Sequence, residues 1–365
     1  MEYKPVVIAG GGPAGLSMSV ILAGMGIPCL VLEPQTEPVL KPGETLPPNA
    51  AHLVSLLNME EALQHPAHRA HTGNLVYWEQ DEPQQRYFLN EPGGNGWHLH
   101  RGLFEQQLRE KATGNNVQLL TGWHCSAVTP TGNGWQLQCS NNCGETKTIE
   151  TAFLADATGR AARIARLLGV PRISADKLTA YSAWLPASPS GLQGTTFIEA
   201  VEEGWWYAAP LSDNKTIVCF FTDADIHQLP EKNILPQWWF NKWAKTKRLK
   251  EYFTPALATP NAVMVHPAST SALQQIAGKN WLALGDAAFT TDPLASYGLT
   301  AAMGSALYAA NAIRDCLNNN PDAPAAYQWA QQNAFNNCMG MLQHQYGRVQ
   351  RWPGSLFWER RRSGI

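Results

Sequence analysis

The chain is short of charge for its length. Of 365 residues, 27 are Lys or Arg and 29 are Asp or Glu, so the formal charge is only −2. Nucleic-acid-binding domains are usually visibly basic, so this balance gives no reason to expect a nucleic-acid partner, and none is expected. The seven cysteines are scattered, with no C-x-x-C pair, and Cys139 with Cys143 has no matching second pair. That pattern argues against a structural zinc site or a disulfide framework, and no metal is expected. Long hydrophobic runs are missing too. "LSMSVILAGMGIPCLVL" is apolar, but Gly24, Gly26 and Pro28 interrupt it. It reads as a buried helix followed by a strand, not as a membrane span. "MEYKPVVIAGGG" enters a strand directly, without a signal-peptide layout. The expectation is a cytoplasmic protein in a reducing setting, with no membrane partner. Internal repeats and low-complexity segments are absent. What the chain does have is 44% hydrophobic residues and 14 tryptophans, enough for a sizeable core and an aromatic-lined site.

The first 33 residues hold four parts in order. Val6 to Ala9 is a β-branched run, Gly10, Gly12 and Gly15 make G-x-G-x-x-G, with Ala14 inside it, Leu16 to Gly24 has a helix pattern, and Cys29 to Leu32 is a second strand ending in Glu33. The glycines permit a tight turn, close approach of backbone to a pyrophosphate, and close packing of helix on strand. The helix N-terminus then offers unpaired N–H groups to that pyrophosphate. Glu33, 18 residues after Gly15, is placed to accept from ribose hydroxyls. This unit binds the adenosine diphosphate part of NAD or FAD and does not choose between them.

A later segment points to FAD. In "NWLALGDAAFTTDPLASYGLTAAMGSALYAANAI", Trp281 to Leu284 reads as a strand, Gly285-Asp286 follows, and Gly298 opens a long small-residue helix after Pro293. Asp286 can accept from a ribityl hydroxyl. The Gly298 helix start can face the flavin's pyrimidine edge, where negative charge collects on reduction. Between the two units, "TAFLADATGRAARIARLLG" gives a strand ending in Asp156, then Gly159 and a helix.

In these three motifs the sequence resembles the FAD-dependent enzymes built like p-hydroxybenzoate hydroxylase. "DATG" stands where that pattern has Asp-Gly, a spelling found in the branch with tryptophan halogenases and geranylgeranyl reductases. "GWHLHRGLFEQQL" reads as a strand with Arg101 opening a helix, and the resemblance implies that Arg101 helps to hold FAD. The implied fold is α/β: a Rossmann-type FAD-binding domain of the glutathione reductase type, a mostly antiparallel sheet domain for substrate, and a helical C-terminus. The FAD-binding domain is expected to be discontinuous, at 1–75, 97–180 and 268–320. The sheet domain would take 76–96 and 181–267, and the cap 321–365. "TAYSAWLPA", "TTFIEAVE", "GWWYAAPL" and "KTIVCFFT" supply its strands, with a turn at "SDNK". "LPQWWFNKWAKTKRLKEYF" reads as one amphipathic helix with a solvated basic face, and "YGRVQRWPGSLFWERRR" as a helical cap with aromatics in and arginines out.

"GWWYAAPL" raises the question of chemistry. Tryptophan halogenases have G-W-x-W-x-I-P there; this chain keeps Gly204, Trp205 and Pro210 but has Tyr207 and Ala209 at the other two places. The halogenase also needs a lysine after its Gly-Glu loop. Here "KPGETLPP" is followed by no lysine between Lys41 and Lys111. Halogenation therefore ranks below hydroxylation. Over nearly the whole chain, "KPGETLPP", "GWWYAAPL", "GDAAFTTDPLASYG" and the terminal "RWP…FWERR" resemble the LodB and GoxB type of flavoprotein. That resemblance implies oxygenation of a tryptophan in the precursor of a quinone-cofactor oxidase of the LodA and GoxA type, during formation of cysteine tryptophylquinone. The other readings are a small-molecule aromatic hydroxylase, a halogenase, or a flavoprotein-fold chaperone without turnover.

An indole is electron-rich, so its hydroxylation needs no protein nucleophile. The protein must position the ring, exclude water and steady the flavin. Glu44 and Tyr297 are the candidate polar groups near the reacting ring. Trp184, Trp205, Trp206 and Tyr207 are candidates for the substrate pocket, with Trp205 and Tyr207 on one sheet face and Trp206 on the other. His98 and His100 alternate on a strand, so one of them faces inward. No second G-x-G-x-x-G is present, so NAD(P)H or another electron donor would bind without a Rossmann domain of its own.

Overall fold

A computed structural model describes residues 2–363 except 40, 187–190, 213, 228–229 and 254–257. Ala187, ending the first strand-like run of the substrate sheet, and Asp213, in the "SDNK" turn, lie outside the described residues.

The β-branched run at the N-terminus forms the strand Glu2–Ala9, whose Val6, Val7 and Ile8 are wholly buried. It lies parallel between Cys29–Glu33 and Thr146–Asp156. Gln118–Thr121 extends the sheet on one side, and Trp281–Ala283 and Ala277–Gly278 extend it on the other. A central strand buried on both faces needs helices above and below. Pro13–Gly24 covers it together with Gly298–Leu317 and Arg101–Gly114. Two antiparallel strands, Trp123–Pro130 and Trp135–Asn141, complete an eight-stranded sheet.

The second sheet has seven strands. Leu178–Leu185, Thr195–Val201, Gly204–Pro210, Thr216–Asp223 and Met264–Pro267 are antiparallel neighbours. Thr195–Val201 also pairs in parallel with Gly73–Tyr77, which carries Gln84–Tyr87 at the edge. The sheet thus begins at Gly73, three residues before the boundary drawn from the sequence.

Alternation along Gly204–Pro210 sends neighbouring tryptophans to opposite faces. Trp205 stacks on its cross-strand partner Phe221 at 4.0 Å, under the helices Ala323–Gly347 and Leu356–Arg362. Trp206 stacks on Phe220 at 4.8 Å on the other face, against Trp239 of the helix Leu235–Trp243.

Two readings of the basic segments change. The run 235–253 is not one helix: it stops at Trp243, and a 3-10 turn follows at Leu249–Tyr252. The buried carboxylate of Glu199 accepts from the backbone N–H groups of Lys247, Arg248 and Leu249, and this starts the second piece. In the cap, Arg361 does not point out. It is 2% exposed and forms a buried ion pair with Asp223 at 2.8 Å. All seven cysteines are free. Among the described residues, no group of three or more His, Cys, Asp or Glu could hold a metal ion, and no helix is long and apolar enough to cross a membrane.

Candidate active site

The two sheets and the Gly298 helix enclose a cavity of about 670 Å³. Its nucleotide end is built from glycines that do different things. A Cβ at Gly10 would sit 2.2 Å from the Ala157 carbonyl oxygen, at φ +108°, and one at Gly15 would sit 2.0 Å from the Gly10 oxygen. Both are fixed by packing. A Cβ at Gly12 or Gly298 would meet nothing within 4 Å, and both residues line the cavity. The helices beginning at Pro13 and Gly298 have no side-chain cap, so their first N–H groups remain for a ligand. Glu33 accepts from the N–H groups of Gly11 (2.6 Å) and Gln35 (2.9 Å) and still lines the cavity, with lone pairs to spare. Two open helix N-termini, a bare glycine at each and a terminal acid fit the pyrophosphate, flavin edge and ribose of FAD.

The loop after the second strand closes one wall. Arg101 donates to the carbonyls of Pro42 (3.1 Å) and Gly43 (2.7 Å) and to Glu105 (2.6 Å), which also holds Lys41 at 2.8 Å. This clamp fixes Glu44. Burial pushes the Glu44 carboxyl up to about 7, against the pull of Arg101, and its Oε1 has no hydrogen-bond partner. Tyr207, across the cavity wall, shares a 2.6 Å hydrogen bond with Thr45 Oγ1. Burial, and then the nearby Glu44, hold the Tyr207 hydroxyl well above the ordinary range. Phe221, Cys219 and Ala180 face the same space from the sheet, as does His266. Burial lowers His266 to about 4, so it is neutral; its Nδ1 is unpartnered while Nε2 meets Ser182 Oγ at 3.4 Å.

Asp286, Pro293 and Tyr297 line the cavity near Gly298. Asp286 is deep in the protein, yet 45% of its side chain is open because the opening is the cavity itself. Desolvation raises its carboxyl, opposed by Arg160, whose Nε lies 3.9 Å away. Asp292 also reaches the cavity. Burial pushes it up to about 6, and it accepts from Tyr346 Oη at 2.6 Å.

Ala14 lines the cavity alongside Gly10, Gly12, Glu33, Glu44, Arg101, Tyr207, Asp286, Pro293, Tyr297 and Gly298. Asp156 does not. Its Oδ1 accepts from the Thr158 N–H and hydroxyl, and its Oδ2 from the Ala165 N–H, so it ties a strand end to the next helix. Nor do Trp184, Trp205 and Trp206 line the cavity; they pack in the aromatic clusters on either face of the sheet. Of the two histidines, His98 is buried, bonds Thr196 at 2.9 Å and stacks on His71, while His100 caps the Arg101 helix. Sequence reasoning missed Asp292, His266, Arg160 and Tyr346. Asp292, Arg160 and Tyr346 stood inside segments already singled out; nothing in the local pattern marked His266.

A family model described as FAD binding domain matches residues 3–325. The chain belongs to that family. It is an FAD-dependent oxidoreductase, and FAD is its cofactor. The FAD-dependent oxidoreductase LodB of Marinomonas mediterranea is 24% identical over 99% of this chain and 97% of its own length. A tryptophan 2-halogenase of Chondromyces crocatus is also 24% identical, but the match covers 89% of this chain and only 64% of the halogenase. The fold is that of the myxobacterial chondrochloren halogenase CndH (TM-score 0.89, 22% identity, 99% of this chain and 86% of that one). It is shared by the peptidyl tryptophan dihydroxylase QhpG, essential for tryptophylquinone cofactor biogenesis (TM-score 0.80, 23% identity, 99% and 79%).

Proposed function

We propose that this FAD-binding protein is a monooxygenase that hydroxylates a tryptophan side chain in the precursor of a quinone-cofactor oxidase. The observation that carries the chemistry is the unpartnered Glu44 carboxyl oxygen between the nucleotide cradle and the sheet, in a cavity that Phe221 and Ala180 also line. Such an acceptor suits an indole N–H. Support for a protein-borne tryptophan comes from the two-way coverage of LodB and the likeness to QhpG. No lysine stands between Lys41 and Lys111, which favours oxygenation over halogenation. Action in the cytoplasm suits seven free cysteines.

Bound FAD, reduced by NAD(P)H or another two-electron donor, supplies activated oxygen. One oxygen atom enters the ring carbon and the other leaves as water. The chain's residues position and neutralise. Phe221 and Ala180 give the ring an apolar wall, Tyr207 and Thr45 set its edge, and the Arg101 clamp holds Glu44 at the nitrogen. As oxygen adds, positive charge spreads to the indole nitrogen; the Glu44 carboxylate stabilises it by accepting the N–H hydrogen bond, while the proton on the oxygenated carbon is lost to water as the ring regains aromaticity.

The direct test is to co-express the protein with an oxidase precursor and measure the precursor's intact mass. Addition of oxygen at one tryptophan, dependent on this chain, is expected. Unmodified precursor alongside efficient hydroxylation of a small phenol, or a haloindole formed from tryptophan with chloride or bromide, would overturn the reading.

Glu44 gives a second expectation. Burial pushes its carboxyl up to about 7, and only the ionised form carries the charge that stabilises the cationic ring, so the rate should rise with pH through about 7 and then level. Glu44→Gln should lower kcat about 100-fold and flatten that limb, with FAD content unchanged. A variant with the wild-type pH profile would remove Glu44 from the chemistry.

A further inference from the structure

Three stretches far apart in sequence meet at one buried carboxylate. Asp292, in the loop before the Gly298 helix, is 1% exposed and lines the cavity beside Pro293 and Tyr297. Its Oδ1 accepts from the Leu294 N–H at 2.9 Å and its Oδ2 from the Tyr346 hydroxyl at 2.6 Å. The Tyr346 oxygen in turn accepts from Trp205 Nε1 at 3.0 Å. Tyr346 comes from the C-terminal helix Ala323–Gly347 and Trp205 from the strand Gly204–Pro210. With its acceptor role filled by the tryptophan, the tyrosine has one proton and one place to send it, the carboxylate.

The charges around Asp292 are few. The Arg361 guanidinium lies 5.1 Å over the Tyr346 ring, and its charge favours ionisation of Asp292; its Nη1 and Nη2 bond Asp223 and the Phe357 carbonyl, while its Nε has no hydrogen-bond partner. Arg360 joins it on Asp223 at 3.0 Å. From the nucleotide-binding side, Asp176 opposes ionisation of Asp292 and Arg160 favours it. Cys338 faces it from the same helix as Tyr346. The carboxylate is therefore buried, bonded by one neutral side chain and one backbone N–H, and belongs to a residue in the cavity wall.

We propose that Asp292 stores a proton for the flavin, taking one from solvent as the flavin is reduced and returning it on reoxidation, and that Tyr346, fixed by Trp205, is the positioning residue that sets this exchange. The inference rests on FAD as the cofactor and is independent of the tryptophan reading. A hydride donor delivers two electrons and one proton to the flavin ring; the second proton goes from water to a carboxylate oxygen of Asp292. No side chain is oxidised. The driving force is electrostatic. Near neutral pH the carboxyl, pushed up to about 6 by burial, is mostly ionised. Reduction places negative charge in the same cavity, and a like charge raises a carboxyl further. Proton uptake therefore opens from about pH 6 upward. Removing the tyrosine hydroxyl withdraws the donor that favours the ionised form, so the window should move to higher pH.

The experiment uses the full-length holoprotein. The midpoint potential of its bound FAD is measured by dye equilibration between pH 5.5 and 8.5, for wild type, Asp292→Asn and Tyr346→Phe, together with infrared difference spectra of reduced minus oxidised protein. Above about pH 6, wild type should take up one more proton per two electrons than Asp292→Asn. Tyr346→Phe should retain FAD and begin its extra uptake at higher pH than wild type, which a merely structural tyrosine would not cause. The wild-type spectrum should gain a protonated-carboxyl stretch on reduction. Equal proton stoichiometry in wild type and Asp292→Asn would overturn the proposal. So would a Tyr346→Phe window at the wild-type pH. If Asp292→Asn fails to fold, the wild-type infrared spectrum decides alone, and absence of that stretch overturns it.

Discussion

Gly12→Val should yield a folded protein that purifies colourless. The Gly12 backbone, at φ −83° and ψ −174°, suits any residue, and a Cβ there meets nothing within 4 Å. The new side chain therefore projects into the cavity, where the pyrophosphate must approach the helix N-terminus. FAD affinity should fall at least 100-fold, corresponding to about 2.7 kcal/mol. Flavin absorbance after gel filtration measures it, and added FAD should raise the thermal midpoint of wild type but not of the variant. Gly15→Val is the contrast. Its Cβ would lie 2.0 Å from the Gly10 carbonyl oxygen, so it should fail to fold rather than lose only its ligand. A yellow Gly12→Val would mean that the cradle is not where FAD lies.

Arg361→Met should destabilise the protein by about 3–5 kcal/mol, because it removes one partner of a buried ion pair and leaves the other. Asp223 is 1% exposed and Arg361 is 2% exposed, and the guanidinium also lies 3.5 Å over the Phe357 ring. Arg360 still reaches Asp223, which keeps the loss at the lower end of that range. The double variant Asp223→Leu with Arg361→Met should recover much of the stability, since no unpaired charge remains. Thermal unfolding checks both. A single variant as stable as wild type would show that the pair contributes little to holding the cap on the sheet.

What the sequence disclosed depended on how local its causes were. Gly10, Gly12 and Gly15 could be read because their tasks are set within a dozen residues, and Gly298 because a helix start carries its own chemistry. Asp156 looked like another strand-end acid. It differs from Glu33 in having Thr158 two residues on, whose N–H and hydroxyl claim an oxygen inside the turn. The helix break after Trp243 was hidden because Glu199, 48 residues before Lys247, supplies the cap. Arg361 reads as a surface charge until Asp223 is known to lie beneath it. Trp205 and Trp206 were placed on opposite faces by simple alternation, but which face bordered the cavity was decided by distant helices. Neither tryptophan reaches it, whereas Tyr207 does.

The interleaving of the central sheet has a consequence for synthesis. Its strand Glu2–Ala9 borders Thr146–Asp156, which borders Trp281–Ala283, and the cavity takes its walls from Ala9 through Ala302. A nascent chain that has emerged as far as residue 250 carries the glycine loop, the Arg101 clamp and most of the second sheet. It still lacks the loop and helix start that complete the cavity wall. Contacts this distant in sequence form slowly and late. FAD can therefore stabilise only a nearly finished polypeptide. Until then, the tryptophan-rich face of the second sheet lacks the C-terminal helices that cover it, and a chain truncated near residue 250 should aggregate.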